Sequence, residues 1–220
     1  MQQAATIKVW DIGVRLFHWS LVAFFVIAYL TGDDDEGGLA TVHAWAGYAI
    51  IGLLVFRIVW GLFGSRHARF SDFVYGPGKI LGYLKDVFTG HPKRYLGHNP
   101  AGGLMVVAMI LSLIAVSWTG LKAYQAEGKG PLAAIDGGAV VTMAIPEIIP
   151  KAHADDDDGG MGERGGREGD EFWEEAHEAS VNIMLLLIVL HLIGVAASSL
   201  MHDENLVRAM VTGRKRRDGE

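Results

Sequence analysis

Two histidines, His177 and His191, lie fourteen positions apart on the last long apolar stretch of a 220-residue chain. At ~100° and ~1.5 Å per residue they return to nearly the same helical face, about 21 Å apart along the axis. One side of one helix presenting two imidazoles more than half a bilayer apart suits two stacked haems. Each haem then needs a second axial ligand from another helix, and the chain offers His18 and His43. Iron held by two imidazoles keeps no open position for oxygen or substrate, so the chemistry of such a site is electron transfer. A lone membrane histidine often does no more than hydrogen-bond a neighbour, but four at matched depths call for more than that. Zinc is a weaker match, because the pairs are far apart and no carboxylate lies at their depth.

These histidines must be positioned by membrane helices. Half the residues are hydrophobic, and they gather in four runs, roughly Leu16–Thr31, Leu39–Gly64, Ala101–Leu121 and Val181–Leu200. A bilayer crossing takes ~20 residues, which these runs reach with their flanks. The predicted class is therefore an all-α integral membrane four-helix bundle, a single domain over 1–220 with helices at about 12–32, 39–64, 100–121 and 172–201. Too little amphipathic surface remains to cover these runs as a soluble core. The first run lacks a small-x-small cleavage pattern and reads as a retained helix, not a signal peptide. The chain has no cysteine, which excludes c-type haem attachment, thiolate-held clusters and disulfides.

Charge sets the expected orientation. Lys8 and Arg15, six basic residues between Ser65 and Pro100, and Arg208, Arg214, Lys215, Arg216 and Arg217 fall on one side. The first connection, 32–38, has no basic residue, and the third, Lys122–Phe172, has five basic residues among eleven acids. The positive-inside rule places both termini in the cytoplasm. By depth, His43 then pairs with His177 on the periplasmic side and His18 with His191 on the cytoplasmic side. The region 122–171 reads as an acidic periplasmic insertion, flexible over Asp155–Glu171, with an apolar segment Val140–Ile149 that packs at the interface. It is a solvated linker or a docking surface for a basic partner such as a c-type cytochrome.

Other residues fit the same picture. Gly47 and Gly194 lie one turn from His43 and His191, where a small residue lets a porphyrin lie against the helix; they suit plain helix packing as well. Arg57 is the only charge inside the second run, near the depth of the cytoplasmic haem, and a haem propionate is its expected anion. Arg15 serves that haem or lipid phosphates. His98 opens the third helix beside Asn99-Pro100, a capping motif. His67, His91 and His153 read as surface residues, and His202 lies at or beyond the membrane edge.

Arg15-Leu16-Phe17-His18-Trp19, His43-Ala44-Trp45-Ala46-Gly47-Tyr48, the stretch from Arg57 to Phe70, Gly97-His98-Asn99-Pro100-Ala101-Gly102-Gly103 and Ala176-His177-Glu178 with His191 resemble the prokaryotic dihaem cytochrome b family. That family includes small bacterial cytochrome b-561 proteins and the membrane subunit of nickel–iron hydrogenases. The resemblance covers about Ile7–Lys215, except Glu127–Asp170. It implies a four-helix bundle with two b haems, held by residues 18, 43, 177 and 191. It also implies a multi-pass protein of the bacterial cytoplasmic membrane that exchanges electrons between quinone and a redox partner.

The expected function is electron transfer between the quinone pool and a periplasmic partner, a c-type cytochrome or hydrogenase-like oxidoreductase docking at the acidic connections. The quinone site is expected at the cytoplasmic face by His67 and Arg69. No nucleic-acid partner is expected. Two alternatives remain within reach. One is superoxide:quinone oxidoreduction, which the acidic outer connections disfavour by repelling the anion. The other is a haem-bearing anchor subunit of a larger oxidoreductase. A transporter with proton-relaying histidines is a weaker third, for want of an inverted repeat.

Overall fold

The computed structural model describes residues 6–32, 38–90, 92–136 and 162–216, with side chains omitted at 136 and 162–170. In chain order the elements are β1 (Thr6–Lys8), α1 (Ile12–Leu30), α2 (Gly38–Phe63), a 3₁₀ turn (Arg66–Ala68), α3 (Phe70–Phe73), α4 (Pro77–Phe88), α5 (Pro100–Ala126), α6 (Gly130–Asp136), α7 (Gly162–Met201), α8 (Leu206–Thr212) and β2 (Arg214–Arg216). Among the described residues, four helices are long and apolar enough to cross a membrane: α1, α2, α5 and the part of α7 from Glu171 onward. Their large apolar side chains, such as Leu16, Leu30, Val55, Leu111 and Leu186, are exposed. In water such a surface would drive aggregation; in lipid it is the required exterior.

Two ends of the helical pattern depart from the sequence reading. Helix α5 continues to Ala126 rather than ending near Leu121. Lys122 allows this by setting its ammonium over the Trp118 and Trp173 rings, 6.0 and 5.6 Å from their centroids. Helix α7 begins at Gly162, inside the stretch expected to be a flexible linker. Propagation outward from an established span adds one backbone hydrogen bond per residue, which offsets a glycine-rich composition. The expected interfacial segment Val140–Ile149 and the acidic runs 33–36 and 155–158 lie outside the described residues.

The chain separates into two compact units, Met1–Ile114 with Met184–Glu220, and Ala115–Ile183. In the first unit, α2 buries Ala46, Ile50, Leu54, Arg57 and Gly61, a three- and four-residue spacing that keeps them on one face. A Cβ at Gly61 would come 2.2 Å from the Phe70 ring, so glycine there is what lets α3 rest on α2. The two ends of the chain then close over this region. Strands β1 and β2 pair antiparallel in the register Thr6↔Arg216, Ile7↔Lys215 and Lys8↔Arg214. Beneath them Val9, Trp10, Val14, Ala68 and Ala209 form a small buried core. The second unit holds the remaining halves of α5 and α7, joined by Thr119 Oγ1 and Ser180 Oγ at 3.0 Å.

Asp11 fastens the start of α1. Its Oδ1 accepts from Val14 N–H at 2.9 Å as the N-cap, and its carboxylate also accepts from Trp60 Nε1 at 3.2 Å and from the Ser65 hydroxyl. Burial alone would raise its pKa, but the hydrogen bonds from Ser65, Val14, Trp60 and Gly13 outweigh that and hold it below the usual carboxylate range. Asp11→Ala is expected to lose about 1–2 kcal/mol, the worth of a good cap. Because the folded pKa is depressed, the native contribution is complete above about pH 4 and is lost as pH falls through the folded value. Thermal unfolding in detergent should therefore show the native and Asp11→Ala proteins converging in stability as pH drops towards 3.

Candidate functional site

His18 sits in the second turn of α1 and His191 in the apolar part of α7, and both belong to the first unit. His191 lies within electrostatic reach of His18, so the fold brings together two histidines remote in sequence. The His18 Nδ1 is sealed from solvent and has no hydrogen-bond partner among the described residues. A buried polar atom left unpaired is costly and calls for an explanation, which a prosthetic group completing the surroundings would supply.

His43 lies near the start of α2. Its Nδ1 is 2.8 Å from the Ala28 carbonyl on α1. The nitrogen donates to that oxygen, which leaves the lone pair on Nε2, the form that ligates a metal. His177 is placed the same way in the second unit. Its Nδ1 is 3.1 Å from the Val116 carbonyl on α5 and 3.2 Å from Thr119 Oγ1. Two histidines anchored through Nδ1 to a neighbouring helix's carbonyl is the supporting pattern that metal-bound imidazole usually shows.

The glycines near the histidines differ in what surrounds them. A Cβ built at Gly47 or Gly194 would meet nothing within 4 Å. Gly120 is the opposite case: a Cβ there would come 2.9 Å from His177 Cε1 and 3.2 Å from its Nδ1. Gly120→Val is therefore expected to push the His177 ring off the Val116 carbonyl. The outcome to measure is a loss or a shift of one low-spin signal in the electron paramagnetic resonance spectrum. An unchanged spectrum would mean that the ring's position does not matter.

The arginines end up differently from one another. Arg57 is 3% exposed, and its Nη1 donates to the Ala68 carbonyl at 3.1 Å. Its guanidinium lies 5.0 Å from the Phe70 centroid and 5.7 Å from that of Phe73. Arg15 is committed to the Val211 carbonyl on α8, so it ties the chain's two ends together. Arg69 gives its Nε to the Gly64 carbonyl at 2.8 Å. His67, expected at the surface, is instead half-buried, with its Nδ1 2.8 Å from Asp72 Oδ2.

Sequence reasoning missed His98. Asn99 does cap α5, its Oδ1 accepting from Gly102 N–H at 2.7 Å, as the motif predicts. The His98 ring is also packed between Trp10 and Phe73, with each centroid 4.7 Å away. Burial, followed by the charges of Arg57 and Lys215, pushes its pKa down to about 3, so it stays neutral at physiological pH. Its Nδ1 has no hydrogen-bond partner among the described residues. The local sequence held no sign of this, because both flanking rings arrive from distant segments.

The chain matches the prokaryotic cytochrome b561 family over residues 9–213. It is 26% identical to a probable Ni/Fe-hydrogenase B-type cytochrome subunit of Azotobacter vinelandii over 156 residues, 59% of this chain and 64% of that one. The corresponding protein of Rhizobium leguminosarum bv. viciae is 27% identical over 149 residues, 57% of this chain and 62% of its own. That of Rhodobacter capsulatus is 21% identical over 242 aligned residues, 98% of this chain and 83% of its own. The chain spans a little under two thirds of the length of the first two relatives. No solved structure matches it. The family match takes in all four histidines and both halves of the closing core, and the chain belongs to the prokaryotic cytochrome b561 family.

Proposed function

We propose that this chain is a dihaem cytochrome b that passes electrons between membrane quinone and a periplasmic redox partner. Its family makes it a haem b electron-transfer protein of the bacterial inner membrane. The finer reading assigns His18 with His191 to one haem and His43 with His177 to the other. The anchoring of His43 and His177 through Nδ1 is the observation that carries it, since it presents Nε2 in the ligating form at two separate places. When bound, haem b supplies a one-electron iron couple. The protein's share is to hold the imidazoles, exclude water and balance charge. Arg57, buried and with no carboxylate partner among the described residues, is the residue to face a propionate of the His18–His191 haem. His67 and Asp72, paired at the basic end of the molecule, are the groups to hold and release the proton that quinone chemistry requires.

Both termini and the 65–100 segment face the cytoplasm in this reading, on the charge asymmetry. The relatives' names point to a hydrogenase-like partner, and a c-type cytochrome is the other candidate. Either would meet the acidic connections on the periplasmic side.

The direct test is the reduced-minus-oxidised visible spectrum of purified protein, with haem counted by pyridine haemochrome. Two b haems per chain, reduced by a soluble quinol analogue, are expected. One haem per chain would leave a histidine pair without a role, and two haems that no quinol reduces would favour an anchoring subunit. Unchanged quinol-driven reduction in His67→Ala would remove the His67–Asp72 pair from the quinone site.

A further inference from the structure

Helix α4 presents an apolar surface that the protein does not cover. Taking ~100° per residue from Tyr83, the apolar positions Val87, Ile80, Leu84, Phe88 and Leu81 fall at about 40°, 60°, 100°, 140° and 160°. The protein uses only the near part of that arc. Tyr83 is buried, and Ile80, Leu84 and Val87 are half-buried. Tyr83 stacks edge-on against Tyr95, 5.8 Å between centroids, and Tyr95 meets Tyr75 at 5.9 Å. The far part of the arc is open: Leu81 is 67% exposed and Phe88 is 89% exposed. Beyond it the wheel turns polar, with Lys85, Asp86 and Lys79 all exposed.

The depth of this helix is set by what its inner face grips. Tyr75 donates from its hydroxyl to the His98 carbonyl at 3.3 Å, two residues before span α5 begins at Pro100. Three tyrosines gathered at the mouth of a span are the aromatic belt found where hydrocarbon meets headgroups. A helix pinned there, with an uncovered apolar edge beside lysines, has the layout of an interfacial helix.

We infer that α4 lies in the headgroup–acyl boundary of the membrane leaflet on its side, with Leu81 and Phe88 in lipid and Lys79 and Lys85 on anionic headgroups. Charge complementarity decides the occupant. From Arg66 to Arg94 the segment carries six basic residues against two acidic ones, Asp72 and Asp86. Asp72 is already engaged by His67. Anionic lipid attracts such a segment, whereas a second copy of the same basic face would be repelled.

The chain has no cysteine, so single labels report one position each. Full-length protein in nanodiscs, spin-labelled at Leu81→Cys, Gly82→Cys, Asp86→Cys or Phe88→Cys, is exposed to oxygen and to an aqueous nickel chelate. The ratio of oxygen to nickel collision is expected to be several-fold higher at 81 and 88 than at 82 and 86. Replacing a fraction of zwitterionic lipid with phosphatidylglycerol should raise that ratio further at 88. Lys79→Gln with Lys85→Gln should abolish the rise. Equal nickel access at all four positions would put the helix in water and overturn the inference. Exclusion of both reagents at 81 and 88 would mean a protein partner or a second copy covers the face, which overturns it equally. A ratio at 88 that ignores lipid charge would overturn the headgroup assignment.

Discussion

Alanine in place of His191 is expected to halve the haem bound per chain, and alanine in place of His177 is expected to remove the other half. In the proposed assignment each haem would lose one of its two imidazoles, and a b haem has no covalent tether to hold it after that. Pyridine haemochrome counts the loss, and the two low-spin signals should disappear one at a time. The pairing predicts more than the count. His18→Ala should abolish the same signal as His191→Ala, because depth along the spans pairs those two residues. His43→Ala should abolish the signal that His177→Ala abolishes. Signals that pair otherwise would break the depth assignment while leaving the ligand set intact. His202, eleven positions after His191, is the internal control. It follows the last residue of α7, so His202→Ala should leave both signals in place.

The spans were legible because their signal is local, and the histidine pattern behind the proposed ligand set is local too. An apolar run of span length needs no knowledge of its neighbours, and a fourteen-residue spacing on one helix follows from helical geometry alone. The supporting contacts were not legible. Nothing in the sequence around His43 names Ala28 as its acceptor, and nothing around His177 distinguishes Gly120 from the other small residues of α5. The strand pair was invisible for a different reason. Thr6–Lys8 and Arg214–Arg216 are three residues each, too short for an alternation to stand out, and lie at opposite ends of the chain. Their pairing comes from the burial of Trp10 and Ala209 between them and the helices. Arg57 shows the limit of reasoning from a lone charge. Membrane burial rightly demanded compensation, but part of it comes from the Ala68 carbonyl and two phenyl faces contributed by the 65–73 segment. Arg15 shows the same limit, since its partner is a carbonyl on α8.

Removing the Glu204 carboxylate is expected to be strongly destabilising. Glu204 is buried and accepts from Arg94, whose Nη2 also donates to the Arg216 carbonyl at 2.7 Å. Lys215 Nζ, buried as well, is 3.7 Å from its other oxygen. Glu204→Ala therefore takes the carboxylate away from buried Lys215 and removes one of Arg94's partners, and breaking a buried pair this way costs about 3–5 kcal/mol. The pH dependence should change too. Burial lowers the Lys215 pKa and Glu204 partly restores it, so the variant drives that pKa further down. The folded variant then holds fewer protons than the unfolded chain between its depressed pKa and about 10.4, and its stability should rise with pH across that window. Thermal unfolding in detergent at pH 7 and pH 9 measures both effects. Glu204→Ala combined with Lys215→Met should recover part of the loss, because it removes one stranded charge. The carboxylate clamps the chain's tail, and with it β2, across the Trp10–His98–Phe73 stack at the basic end of the molecule. If that clamp serves folding alone, the double variant should show native haem spectra and native quinol reduction. If it also shapes quinone access, reduction by quinol should slow while the spectra stay native.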